Sequence, residues 1–87
     1  MPDRDTRFAD AARTATSLTR DPGNDVKLRL YALYKQATVG DVQGRRPGFT
    51  DLVGRAKYDA WAKVEGMSSQ DAKQAYIELV AELSSEA

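Results

Sequence analysis

Tyr31, Tyr34 and Lys35 fall within one five-residue stretch, and Lys57 precedes Trp61 by one helical turn. Phenol rings stack on a purine, and phenolic hydroxyls and ammonium groups hold phosphate oxygens. With Tyr58 and Tyr76, the set suits a nucleotide-bearing ligand. The same residues suit a plainer role, as tyrosines half-buried in a core with wet hydroxyls and lysines that are simply solvated. Spacing alone leaves both readings open. Other chemistry is harder to find. Gly40, Gly44 and Gly48 match neither phosphate-binding glycine pattern and read as turn residues. Arg45-Arg46-Pro47 reads as a solvated loop. Asp41, Asp51, Asp59 and Asp71 lack the closely alternating oxygens of a calcium loop, so no metal is expected. The chain has no Cys and no His. It therefore has no disulfide, no thiolate zinc site, no cysteine nucleophile and not the usual general base. An enzyme is not expected.

These side chains need elements to hold them, and the apolar spacing predicts four helices, at about 6–18, 25–39, 53–64 and 69–84. The first has Phe8, Ala11, Ala12, Ala15 and Leu18 on one face, with Asp5 or Thr6 as its cap. Its small residues allow close approach of another helix or of a thin apolar ligand. Asp21-Pro22-Gly23-Asn24 separates it from the second, with Asn24 as the expected cap and Gly40 as the stop. The second helix is two-faced. Val26, Leu30, Leu33 and Ala37 form one stripe. Leu28, Tyr31, Tyr34 and Lys35 form a separate patch well over a quarter-turn away at about 100° per residue. A small helix needs one buried stripe, so the second patch is surplus to folding. Residues 40–51 form a long loop, of the kind that is often functional or packed by its own side chains. The third helix carries Ala56, Ala60, Trp61 and Val64 and ends at Gly66. The fourth opens with a capping-box spacing from Ser68 to Asp71. It presents Ala72, Ala75, Tyr76, Leu79, Val80 and Leu83 inward and Glu78, Glu82 and Glu86 outward.

The chain has 87 residues, with 13 Lys plus Arg against 13 Asp plus Glu. One all-α domain over 1–87 fits that length. Zero net charge argues against a nucleic-acid partner, which usually requires a basic face. No apolar run is long enough to cross a bilayer, and Met1-Pro2-Asp3-Arg4-Asp5 lacks a secretory leader's pattern. A cytoplasmic monomer without stable membrane insertion is the expectation.

The run Leu30-Tyr-Ala-Leu-Tyr-Lys-Gln-Ala-Thr-Val-Gly-Asp41, followed by Arg46-Pro47-Gly48 and Lys57-Tyr58-Asp59-Ala60-Trp61, strongly resembles the acyl-CoA-binding protein family. The resemblance extends from Phe8 to about Leu83, and the Tyr-x-x-Tyr-Lys-Gln-Ala-Thr-x-Gly-Asp run is long and specific. It implies a four-helix bundle in up-down-down-up order. It also implies a non-catalytic carrier of medium- to long-chain fatty acyl-CoA, with no cofactor and with acyl-CoA-using enzymes as its partners. By position, Tyr31, Tyr34, Lys35, Lys57 and Tyr76 match the residues around the CoA head group, with Lys35 and Lys57 on the ribose 3′-phosphate. Phe8, Ala12 and Leu28 match positions lining the acyl groove. Thr16 stands where many members have Lys, with Arg13 and Arg20 each about one turn away, and Arg13 is an auxiliary candidate. Lys27 stands in place of an apolar residue, and its stem can cover an acyl chain while its ammonium stays wet. Val53 and Asp21 replace common basic positions, which lowers the positive potential. A helical protein-interaction module without a small ligand is the alternative reading.

Overall fold

The computed structural model describes residues 3–85. It contains four helices: α1 (Arg4–Thr16), α2 (Asn24–Thr38), α3 (Leu52–Ala62) and α4 (Ser69–Ser85). Caps fix where these begin. Asp3, not Asp5 or Thr6, caps α1, its carboxylate accepting from the Thr6 N–H at 2.8 Å. Gly23 with φ 92° holds the cap position of α2, and Asn24 is already helical. Asp21 accepts from the Gly23 N–H at 2.8 Å and steadies that turn. Gly40, with φ 104°, turns its N–H back to the Lys35 carbonyl at 3.2 Å and stops α2 as expected. The Ser68 hydroxyl accepts from the Asp71 N–H at 3.0 Å at the start of α4. Leu18 and Val64, expected inside helices, lie beyond the ends of α1 and α3. Gly66 lies in the turn after α3 rather than at its end. Met1, Pro2 and Glu86 lie outside the described residues.

Cross-chain pairs give the helix directions. Arg4 donates to Gln70 and Gln74, Lys73 reaches Asp5, and Phe8 meets Tyr76, so α1 and α4 run parallel. Tyr34 meets Tyr76, and the Ser69 hydroxyl donates to the Ala37 carbonyl, so α2 runs against α4. Lys57 sits on Tyr31 and Lys35 on Trp61, so α3 runs with α2. The order is up-down-down-up. Helix α4 packs against α1 and α2, and α3 leans on α2 alone. The Cα envelope is flat, 43 × 28 × 15 Å.

The core is Phe8, Ala11, Leu33, Ala37, Ala72, Tyr76, Ile77 and Val80. Ile77 completes the inner face of α4 beside the expected residues. The long loop is packed by specific bonds. The Trp61 indole N–H donates to the Gly40 carbonyl at 2.7 Å. Arg46 makes a two-pronged pair with Asp59 at 2.8 and 2.7 Å, and the Tyr58 hydroxyl donates to the Gly44 carbonyl at 3.2 Å. Buried Gln36 donates to Asp41 and to the Met67 carbonyl, each at 2.8 Å. The same Asp41 oxygen accepts from the Gly66 N–H at 2.8 Å. One side chain thus ties the ends of α2, the loop and the α3–α4 turn together.

Candidate ligand site

The backbones of α1 and α2 do not approach each other, and aromatic side chains bridge the space between them. Phe8 stacks on Tyr34 with centroids 5.5 Å apart and meets Tyr76 edge-on at 5.1 Å, while Tyr34 and Tyr76 lie 6.0 Å apart. Tyr76 is buried, 5% exposed, yet its hydroxyl has no protein partner among the described residues. Gln36 Oε1 is the one polar side-chain atom there that is both fully buried and unpaired, so the Tyr76 hydroxyl still reaches water. Burial first, and the Tyr34 phenol second, push the Tyr76 pKa up, which keeps it protonated and a donor at neutral pH. Tyr34 is exposed at the same cluster.

A second cluster lies on the α2–α3 seam. The Lys57 ammonium stands 5.3 Å from the Tyr31 ring centre, and the Lys35 ammonium stands 5.2 Å from the Trp61 ring centre. Both contacts are cation–π contacts, which hold an ammonium in place without neutralising it. Neither lysine makes an ion pair among the described residues. By contrast Lys27 pairs with Asp21 at 3.0 Å, Lys73 with Asp5 at 2.7 Å, Arg46 with Asp59, and Arg13 with Asp10. Parallel α2 and α3 therefore present two uncommitted cations on adjacent turns. Lys35 follows Tyr34 directly, so α2 joins the cation cluster to the aromatic one.

Leu28 is half-buried one turn before Tyr31 and lines an open groove of about 350 Å³ between α2 and α3. Lys27, Leu52, Val53, Ala56 and Lys57 share that groove. Lys27 lines that groove while its ammonium pairs with Asp21. Phe8 and Ala12, also expected along an acyl chain, are on α1 across the bundle and do not line this groove. Arg13 is exposed and held by Asp10, and Thr16 donates to the Arg13 carbonyl at 2.8 Å. Lys73 was not anticipated. Its ammonium lies 6.0 Å from the Phe8 ring centre, with the side chain 17% exposed. Its position one turn before Tyr76 was the available signal. Among the described residues no group of three His, Cys, Asp or Glu could hold a metal. The arrangement offers phenol faces, a free phenolic donor, unpaired ammoniums and a contiguous apolar groove.

The family model described as Acyl CoA binding protein matches residues 5–80. The chain is 50% identical over 76 residues to Acyl-CoA-binding protein homolog 1 of Caenorhabditis elegans, covering 87% of this chain and 88% of that one. It is 49% identical over 78 residues to Enoyl-CoA delta isomerase 2 of Rattus norvegicus, covering 90% of this chain but only 20% of the isomerase. The crystal structure of Oryza sativa Acyl-CoA-Binding Protein 2 superposes with a TM-score of 0.92 at 44% identity, over 97% of this chain and 93% of that one.

Proposed function

The chain belongs to the acyl-CoA-binding protein family, and from that premise we propose how it binds, carries and buffers fatty acyl-CoA thioesters with its own residues. The ligand has two ends with opposite needs. Its phosphorylated adenosine needs cations and flat π faces, and its acyl chain needs to leave water. Lys35 and Lys57 hold the 3′-phosphate, and Tyr31, Tyr34 and Tyr76 take the adenine, ribose and remaining phosphate oxygens. Leu28 and its groove partners cover the acyl chain near the head group, while Phe8 and Ala12 stand on α1 outside that groove. Lys73 adds a third ammonium beside the aromatic cluster once it exchanges Asp5 for a phosphate. The carrying observation is that Lys35 and Lys57 are held on π faces with no carboxylate opposite them.

The domain does no chemistry on the thioester and needs no cofactor in this reading. Support comes from a sequence without His or Cys. The proposed setting is the cytoplasm, as a monomer that passes its cargo to acyl-CoA-using enzymes. Charge-assisted hydrogen bonds contribute about 1.5–3 kcal/mol each, so Lys35→Ala lowers palmitoyl-CoA affinity by roughly 10- to 100-fold. Tyr31→Ala lowers it by about tenfold through lost stacking. Titration calorimetry showing both variants equal to wild type contradicts this site.

A further inference from the structure

Three large apolar side chains stand in water at one corner of the molecule. Phe49 is 83% exposed, Leu52 70% and Val53 66%. They close the long loop and open α3. Leu52 and Val53 also line the groove shared by Leu28, Lys27 and Lys57, so the patch is continuous with the groove mouth. An apolar cluster of this kind on a small chain marks an interaction surface.

Its charge is one-sided. From Gln43 to Lys57 the sequence places Arg45, Arg46, Arg55 and Lys57 against Asp51 alone, in a chain whose net charge is zero. Asp51 is engaged as the α3 cap, accepting from the Gly54 N–H at 2.9 Å. Arg46 is neutralised by Asp59. Arg45, Arg55 and Lys57 make no ion pair among the described residues. The Arg55 guanidinium lies 4.5 Å from the Phe49 ring centre, so the apolar and cationic groups form one surface.

We propose that the Phe49–Val53 corner is a peripheral docking site for an anionic lipid surface. Apolar tips ringed by basic side chains match a bilayer interface, where rings and aliphatic tips enter the headgroup boundary and cations meet phosphates. Arg45 and Arg55, which the ligand site does not use, and three apolar tips give weak, reversible adsorption rather than anchoring. The docking stands on this corner alone. Its consequence rests on the carrier reading: the groove mouth faces the membrane, and an acyl chain passes between bilayer and groove with little exposure to water.

The test is co-sedimentation of the full chain with phosphatidylcholine vesicles with and without about 30% phosphatidylserine. The expected result is binding that requires phosphatidylserine and weakens at high salt. Phe49→Ser reduces it several-fold, and Arg45→Glu reduces it by about fivefold or more, since one cation near an anionic surface is worth about that factor. Circular dichroism and palmitoyl-CoA affinity stay unchanged in Phe49→Ser, which separates a failed docking site from a failed carrier. Equal binding to both vesicles, or Phe49→Ser binding like wild type, overturns the proposal. So does a loss of palmitoyl-CoA affinity in Phe49→Ser with no lipid dependence, which assigns the patch to the ligand. A concentration-dependent dimer abolished by Phe49→Ser, with no vesicle binding, assigns it to a second copy and equally overturns it.

Discussion

The Lys57 ammonium lies on the Tyr31 ring with no acid to neutralise it, and that position makes a sharp distinction testable. If it meets the 3′-phosphate, Lys57→Ala costs roughly tenfold or more in affinity for acyl-CoA and little for the same ligand lacking that phosphate. Equal losses for the two ligands, measured by calorimetry, place Lys57 elsewhere. Asp41 gives a second residue-scale prediction. The Gly66 backbone N–H, then Gln36, hold its pKa below the ordinary 3.8. A depressed carboxylate stabilises the fold fully above its unfolded value and loses that contribution as pH falls through the native one. Thermal melts below about pH 4 therefore show wild type losing stability more steeply than Asp41→Asn, which carries no such titration. Parallel curves contradict a stabilising role for the hydrogen bonds that Gly66 and Gln36 donate to Asp41. The tyrosines and lysines of α2 and α3 were legible because type and spacing travel together in one run. Asp41 was not, because its partners Gly66 and Met67 come from a distant turn and a loop acid looks solvated in sequence. Lys73 was missed for the same reason, since Phe8 and Asp5 lie at the other end of the chain.

Helix α2 carries two surfaces with different duties. Leu33 and Ala37 are buried in the core, while Tyr31, Tyr34 and Lys35 face the candidate site. Leu33→Ala is expected to destabilise by about 2–5 kcal/mol through a cavity, while Lys35→Ala leaves stability nearly unchanged. Denaturant titration in which the two variants lose stability equally contradicts that division. The surplus patch on α2 was visible in sequence as a displacement round the wheel. Helix ends were less so. Asp3, Asp5 and Thr6 are all plausible caps by type, and only backbone geometry decides that Asp3 reaches the Thr6 N–H. The Ser68 cap was readable because Ser68 and Asp71 stand at capping-box spacing just ahead of the apolar stripe of α4. Ser68→Ala is expected to cost about 1 kcal/mol in the same measurement, with no change in ligand affinity. A null effect contradicts its role in starting α4.

The Cα envelope measures 15 Å along its thinnest axis, and the groove between α2 and α3 is open. In the proposed binding mode cargo lies along that open face, with affinity drawn from both ends. A sixteen-carbon chain offers at most about 11 kcal/mol at about 0.8 kcal/mol per buried CH₂. Nanomolar binding needs about 12 kcal/mol, and ordering the ligand takes back part of the gross gain. Neither end suffices alone. Sequence carried the up-down-down-up order only through its family resemblance, because periodicity counts helices without saying which of them touch. The loop's packing onto α3 through Arg46–Asp59 and Trp61–Gly40 was hidden as well, since loop residues have no period to read. The most direct test is isothermal titration calorimetry with palmitoyl-CoA, and with CoA and palmitate alone. One-to-one binding of the intact thioester, with both halves weaker by at least about a hundredfold, is the predicted result. Folded protein that binds the thioester no better than either half contradicts the account.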